Sequence, residues 1–202
     1  KLLYVLDENN VPEDSEYRYL TDLAVKCAAR RMNPDFISAK VMKEQFDGNV
    51  FPCMGCRSFL SPWKDENGNY KFYGRFNRGV VTINLVDVAL SSGGDEEKFW
   101  DILDEAVSDA IGELHERYGI MCSFKAKDFP FASKWYMGHE NLKDENDSME
   151  KCFRNGSLSV GYIGLAECLI ALTGKHHGES EESQELGLKI IKYMKHKTDE
   201  AT

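Results

Sequence analysis

Two short runs rich in β-branched residues constrain this chain more than any other feature in it. Val80-Val81-Thr82-Ile83-Asn84-Leu85 and Ser157-Leu158-Ser159-Val160-Gly161-Tyr162-Ile163 both read as strands, and each feeds a helix-forming segment downstream. After the second run, Gly164 turns the chain into a helix over residues 165–173, which Gly174 caps. After the first, a Ser-Ser-Gly-Gly turn and the acidic Asp95-Glu96-Glu97 open a long helix reaching about residue 118, because acidic side chains in a first turn complement the helix dipole. Its apolar stripe is Phe99, Ile102, Leu103, Ala106, Ala110 and Leu114. Strands alternating with helices build parallel sheets, so the fold class is α/β.

The amino-terminal part repeats this rhythm. Residues 1–6 form an apolar strand and residues 7–12 a loop. Residues 14–32 read as a helix with Leu20, Leu23, Ala24 and Cys27 on its buried face. Asn33-Pro34 stops it, with Asn33 expected in the left-handed cap, and residues 36–39 give a second short strand. Asp65-Glu66-Asn67-Gly68-Asn69 lies between two aromatic-rich segments, a hairpin signal. Residues 119–155 show no clean period, and residues 141–148 read as a surface loop. Ser180 starts a last helix that buries Leu186, Ile190, Ile191 and Met194 and solvates Lys189, Lys192, Lys195 and Lys197.

Composition narrows the function classes. The chain has 202 residues, 42% hydrophobic and 29% charged, which is ordinary globular usage. Its net charge of −9 argues against a general nucleic-acid or anionic-membrane binder. No stretch of about 18 apolar residues is present to span a membrane, and no leader with a small-residue cleavage site is legible. Opening on a strand without Met suggests excision from a longer protein. Six cysteines, at 27, 53, 56, 122, 152 and 168, read as reduced thiols in a cytoplasmic setting. Cys27, Cys122, Cys152 and Cys168 are expected as buried small hydrophobes.

Cys53 and Cys56 are the closely spaced pair, set in Phe51-Pro52-Cys53-Met54-Gly55-Cys56-Arg57. Pro and Gly around two thiols describe a tight turn. A zinc site needs four ligands and this pair provides two. A thioredoxin-like dithiol should open a helix, and Ser58-Phe59-Leu60-Ser61-Pro62-Trp63 is not a helix start. Two reduced thiols in an ordinary loop is the plain alternative. His176 and His177 are adjacent on a loop, where two such side chains point apart, so structural roles are expected of them.

Five ordered blocks extend the pattern well beyond that pair. They are Leu6-Asp7-Glu8-Asn9-Asn10, Phe36-Ile37-Ser38-Ala39-Lys40, the segment 53–60, Gly74-Arg75-Phe76-Asn77-Arg78-Gly79 running into the first β-rich strand, and residues 156–180 with Gly161-Tyr162-Ile163-Gly164-Leu165-Ala166-Glu167. Together these resemble the anaerobic (class III) ribonucleoside-triphosphate reductases of the glycyl radical enzyme superfamily, over nearly the whole chain and most weakly at residues 119–150.

The resemblance implies part of a ten-stranded α/β barrel, with a finger loop threading its centre. Residues 1–202 would then be one central segment of the catalytic barrel domain. It implies that Cys56, in Met54-Gly55-Cys56, becomes the thiyl radical that takes the 3′ hydrogen of ribose. Gly55 would let the backbone approach and Met54 would pack near the sugar. Asn77 matches an active-site Asn whose amide bonds ribose hydroxyls; read alone, it is an Asn at a turn leading into a strand. Tyr162 and Glu167 match substrate-pocket residues, Glu167 as acceptor of a ribose hydroxyl proton; read alone, Glu167 is a helix-dipole carboxylate. Asn84 is expected inside a strand, facing the barrel lumen or in a structural ladder.

Other parts of such an enzyme are implied but not visible here. They are the glycyl radical itself, the radical-SAM activase that installs it, a four-cysteine zinc site near it, and the cone that binds ATP and deoxynucleotide effectors. A homodimer is implied as well. The Met54 match leans towards formate as reductant, a redoxin being the reductant in another subgroup of the family. Cys53 is an extra thiol without an assigned role. The alternative from a different class is a stand-alone thiol-redox or zinc module using Cys53 and Cys56.

Overall fold

The computed structural model describes residues 2–53, 59–60, 62–135 and 138–201 and divides into two units, Lys1–Phe72 and Tyr73–Thr202. In the first unit, β1 (Leu3–Leu6) leads through α1 (Arg18–Arg31) to β2 (Asp35–Ser38). The two strands pair in parallel, from Leu3 opposite Asp35 to Leu6 opposite Ser38. Ser38 then caps α2 (Ala39–Gln45), its hydroxyl accepting from the Val41 amide at 3.4 Å. Ile37, Met42 and Phe51 form the small core, with Leu3, Phe46 and Phe72 packed against it.

Helix α1 does not bury the face its apolar residues suggest. Leu23 is 62% exposed and Cys27 is also exposed, whereas Thr21 and Ala24 are buried. Thr21 Oγ1 donates to the Asn10 carbonyl and lies 2.9 Å from the Tyr4 hydroxyl, so a polar contact rather than a leucine stripe seats this helix on β1. The left-handed cap is Met32, not Asn33. The hairpin expectation holds in short form: β3 (Trp63–Lys64) and β4 (Tyr70–Lys71) pair antiparallel. Between them the Asp65 carboxylate accepts from the Asn67 and Asn69 amides. The Asn69 amide and the Lys71 ammonium hold that carboxyl down at about 2.

In the second unit, β5 (Asn77–Asn84) passes directly into α3 (Leu85–Ser92), followed by the long α4 (Glu96–Ser123). Helix α3 was not expected; the run that ends at Leu85 stops being a strand at Asn84, whose side chain caps the helix by accepting from the Val86 amide at 3.2 Å. Asp95 caps α4 through the Lys98 amide. Two short helices, α5 (Ala132–Trp135) and α6 (Glu150–Phe153), occupy the stretch without clean period. There follow β6 (Ser157–Ile163), α7 (Leu165–Thr173) and α8 (Glu181–Glu200), as read from the sequence.

Strands β5 and β6 pair in parallel, and the helices α3, α4, α7 and α8 pack on one side of them. Leu85, Phe99, Leu103, Val107, Leu169 and Ile190 have no exposed surface there; a side chain of this kind contributes about 1.5–3 kcal/mol by leaving water. Tyr193 of α8 donates to the Asp104 carboxylate of α4, which Lys197 also meets at 2.7 Å. The fold is thus mixed α/β. Among the described residues the strands form three two-stranded sheets, and none of these closes into a barrel.

Gly164 joins β6 to α7 and is required twice over. Its φ is 75°, and a Cβ there would stand 2.4 Å from Val86 Cγ2. Gly164→Ala is therefore expected to cost about 2 kcal/mol or more. The check is a lowered denaturation midpoint with an unchanged m-value in the full-length protein.

Candidate functional site

Asn77 begins β5 at an irregularity that decides where it points. Asn77 lies opposite Ser157 and Gly79 opposite Leu158, so Arg78 is an extra residue on β5, a β-bulge. Beyond it, Val80, Thr82 and Asn84 share a face with Ser159, Gly161 and Ile163. Strict alternation would put Arg78 on that face. The bulge puts Asn77 there instead, and its Nδ2 donates to Ser159 Oγ at 2.9 Å. The same side chain's Oδ1 accepts from the Gly79 amide at 2.9 Å.

Arg78 turns to the helix side. Its guanidinium carbon lies 4.1 Å from the centre of the Tyr118 ring on α4, a cation–π contact. Its buried Nε has no hydrogen-bond partner among the described residues. The bulge is closed in by two glycines: a Cβ at Gly79 would stand 2.9 Å from Arg117 Cδ, and one at Gly156 2.6 Å from Arg78 Cγ. Burial, and after it the hydrogen bond to Cys122, pushes the Tyr118 phenol above its ordinary value.

Tyr162 and Glu167 lie at the other end of the strands. Tyr162 pairs with Ile83 and is 44% exposed. Glu167 is exposed in the first turn of α7. The carboxyl end of parallel strands, before a helix start, is where α/β sheets bind ligands. From Ser157 to Tyr162 is five residue steps, about 16 Å of strand. The Asn77 amide reaches up to Ser159, which leaves three steps, about 10 Å. The structure thus brings Tyr162 and Glu167 to one end, with Tyr162 on the face of Ile83, sets the Asn77 amide farther down on the opposite face, and places Asn84 at the carboxyl end as a helix cap.

Cys53 is buried. Met54, Gly55 and Cys56 lie outside the described residues. Cys168, next to Glu167, is fully buried, and burial pushes its thiol up to about 11, so it stays protonated and inert. His176 is tied into its own turn: its Nδ1 accepts from the Gly178 amide at 3.0 Å. The rings of His176 and His177 meet edge-on at 5.7 Å rather than pointing apart. Among the described residues no group of three or more His, Cys, Asp or Glu side chains is placed to hold a metal ion. Nor is any described helix long and apolar enough to cross a membrane.

Sequence reasoning missed two features. One is the Asn77–Ser159 bond, which depends on a bulge and on a strand far along the chain. The other is an open cavity of about 280 Å³ lined by Tyr73, Arg75, Phe76, Trp135 and His139. Arg75 is buried there, which lowers the pKa of its guanidinium. The Gly-Arg-Phe-Asn block was the available signal for that cavity, since it carries two of these residues.

Comparison with known proteins gives consistent matches. A family model described as anaerobic ribonucleoside-triphosphate reductase matches residues 1–202. The anaerobic ribonucleoside-triphosphate reductase of Salmonella typhimurium is 37% identical, over 90% of this chain and 26% of its own length. That of Escherichia coli K12 is 35% identical, over 99% of this chain and 28% of its own length. That of Enterobacteria phage T4 is 38% identical, over 88% of this chain and 30% of its own length. The chain therefore spans between about a quarter and a third of the curated relatives it matches.

Proposed function

The chain belongs to the anaerobic ribonucleoside-triphosphate reductase family, and from that premise we propose that residues 1–202 form a central segment of the catalytic barrel of such an enzyme. The whole enzyme converts ribonucleoside triphosphates to 2′-deoxyribonucleoside triphosphates. The observation that carries this reading is the family match along all 202 residues; Met54, Gly55, Cys56, Asn77, Tyr162 and Glu167 take the roles that the resemblance implies.

Cys56 is the thiol that becomes the thiyl radical. A glycyl radical outside these residues, installed by a radical-SAM activase, supplies the hydrogen-atom acceptor. Cys56 takes the 3′ hydrogen atom of the ribose, and the 2′ hydroxyl gains a proton and leaves as water. Formate supplies the two electrons and leaves as carbon dioxide, a hydrogen is delivered to C2′, and Cys56 returns its hydrogen atom to C3′. The net change is C2′–OH plus formate and a proton to C2′–H, carbon dioxide and water. Holding the thiol and the sugar in register turns this into an intramolecular step, the largest service a rigid site offers.

Asn77 offers its amide to the ribose hydroxyls, Met54 and Gly55 are assigned to the approach of the sugar, and Tyr162 and Glu167 act at the carboxyl end of the strands, where Tyr162 leaves from the face of Ile83. The two-stranded parallel sheet, with one face covered by helices and the other carrying Asn77, Ser159 and Thr82, suits a piece of the family's barrel. The zinc site, the sites for ATP and deoxynucleotide effectors and the dimer contact belong to parts of the enzyme outside these residues.

The test is the full-length protein, activated without oxygen and supplied with a ribonucleoside triphosphate and formate. Formation of the deoxyribonucleotide together with carbon dioxide is the expected result. An activated, radical-bearing protein that forms no deoxyribonucleotide would overturn the reading.

A further inference from the structure

We infer that Ser159 is a positioning residue that fixes the amide of Asn77 in the orientation in which it meets a ribose hydroxyl. This rests on the assignment of Asn77 to the substrate site and goes one residue beyond it.

The orientation of an Asn amide is usually ambiguous, because its oxygen and nitrogen look alike. Here the backbone decides. The Gly79 amide, 2.9 Å from the Asn77 side chain, can only donate, so the atom facing it is the oxygen. The nitrogen therefore faces Ser159 Oγ at 2.9 Å, and because that NH2 group has no acceptor capacity, Ser159 is the acceptor. Both ends of the amide are held. One N–H and one oxygen lone pair remain for a ligand on the exposed face of the sheet, and the Ser159 proton is left to point away from Asn77.

The arrangement is built rather than incidental. Arg78 leaves this face for the Tyr118 ring, and Gly79 and Gly156 sit where a Cβ would collide with Arg117 and with Arg78. That clamp is what rotates Asn77 towards Ser159. The bond adds little to folding, because the register is already set by the backbone ladder from Gly79–Leu158 to Asn84–Ile163 and the bond itself is exposed. Its effect is to remove the rotation about the terminal torsion that a ligand would otherwise have to freeze. Freezing one such side chain in advance, with one neutral hydrogen bond aligned, changes affinity by roughly tenfold.

The test is ribonucleoside triphosphate binding by the full-length protein, with the effector sites saturated, for Ser159→Ala, Ser159→Thr, Asn77→Ala and the Ser159→Ala/Asn77→Ala double variant. Ser159→Ala is expected to weaken binding roughly tenfold, with an unchanged denaturation midpoint. Ser159→Thr keeps the hydroxyl and should bind within about twofold of the parent. In the Asn77→Ala background, Ser159→Ala should have no further effect. Wild-type affinity in Ser159→Ala would overturn the inference, as would a failure of Thr to rescue or an equal loss in both backgrounds. Wild-type affinity in Asn77→Ala would instead remove Asn77 from the substrate site, and the inference with it.

Discussion

Cys56→Ser, introduced into the full-length activated protein, is expected to lower deoxyribonucleotide formation by about three orders of magnitude or more, to background. The substitution is nearly isosteric and leaves Pro52 and Gly55 unchanged, so folding and nucleotide binding should survive. What it changes is the bond being broken. An O–H bond is much stronger than an S–H bond, so a seryl oxygen cannot be converted to a radical by a glycyl radical. The glycyl radical signal should therefore persist in the variant on adding substrate, without product. Cys53→Ala is the control. Cys53 is buried, and the proposed mechanism gives it no hydrogen atom to carry, so activity should be largely retained. The competing thiol or zinc reading needs both sulfurs. Stoichiometric zinc that is lost on Cys53→Ala would favour that reading, and retained nucleotide reduction in Cys56→Ser would remove Cys56 as the radical carrier.

The segment of the fold that was legible in advance is the one whose signals are local. β6, Gly164, α7, Gly174 and the Ser180 cap are all written within a few residues of where they act, and the structure has them within a residue of the expected bounds. Helix α3 was hidden because Leu85-Val86-Asp87-Val88-Ala89 continues the β-branched character of the strand before it. The boundary rests on one side chain, Asn84, whose capping bond is a helix signal that competed with an apolar run. Helix α1 failed differently. Periodicity finds an apolar stripe but not which stripe a neighbour covers, and here Thr21, bonded to Asn10 and close to Tyr4, took the inner position while Leu23 stayed outside. The candidate site was the least legible part. Which face Asn77 occupies depends on an extra residue in one strand relative to a partner that begins 80 positions later, and no local pattern contains that count.

Glu167→Gln is the second substitution expected to have a large effect, and its value lies in separating two accounts of one carboxylate. Glu167 is exposed in the first turn of α7, where any acid gains from the helix dipole by about 0.3–1 kcal/mol. If that were its whole role, Gln would lower the denaturation midpoint slightly and leave turnover alone. If the carboxylate takes a proton from a ribose hydroxyl, Gln preserves shape and hydrogen bonding but removes the base. Turnover should then fall by about a hundredfold or more, while KM for the ribonucleotide moves little, because the lost interaction is made as the proton moves. A rise in KM at unchanged kcat would mean that Glu167 only holds the substrate. The neighbouring residues make the measurement clean. Cys168 and Leu169 anchor α7 in the core with no exposed surface, and Gly164, at a φ of 75°, sets where the helix starts. Removing one exposed charge therefore leaves the helix in place, and a loss confined to kcat can only come from the chemistry at that carboxylate.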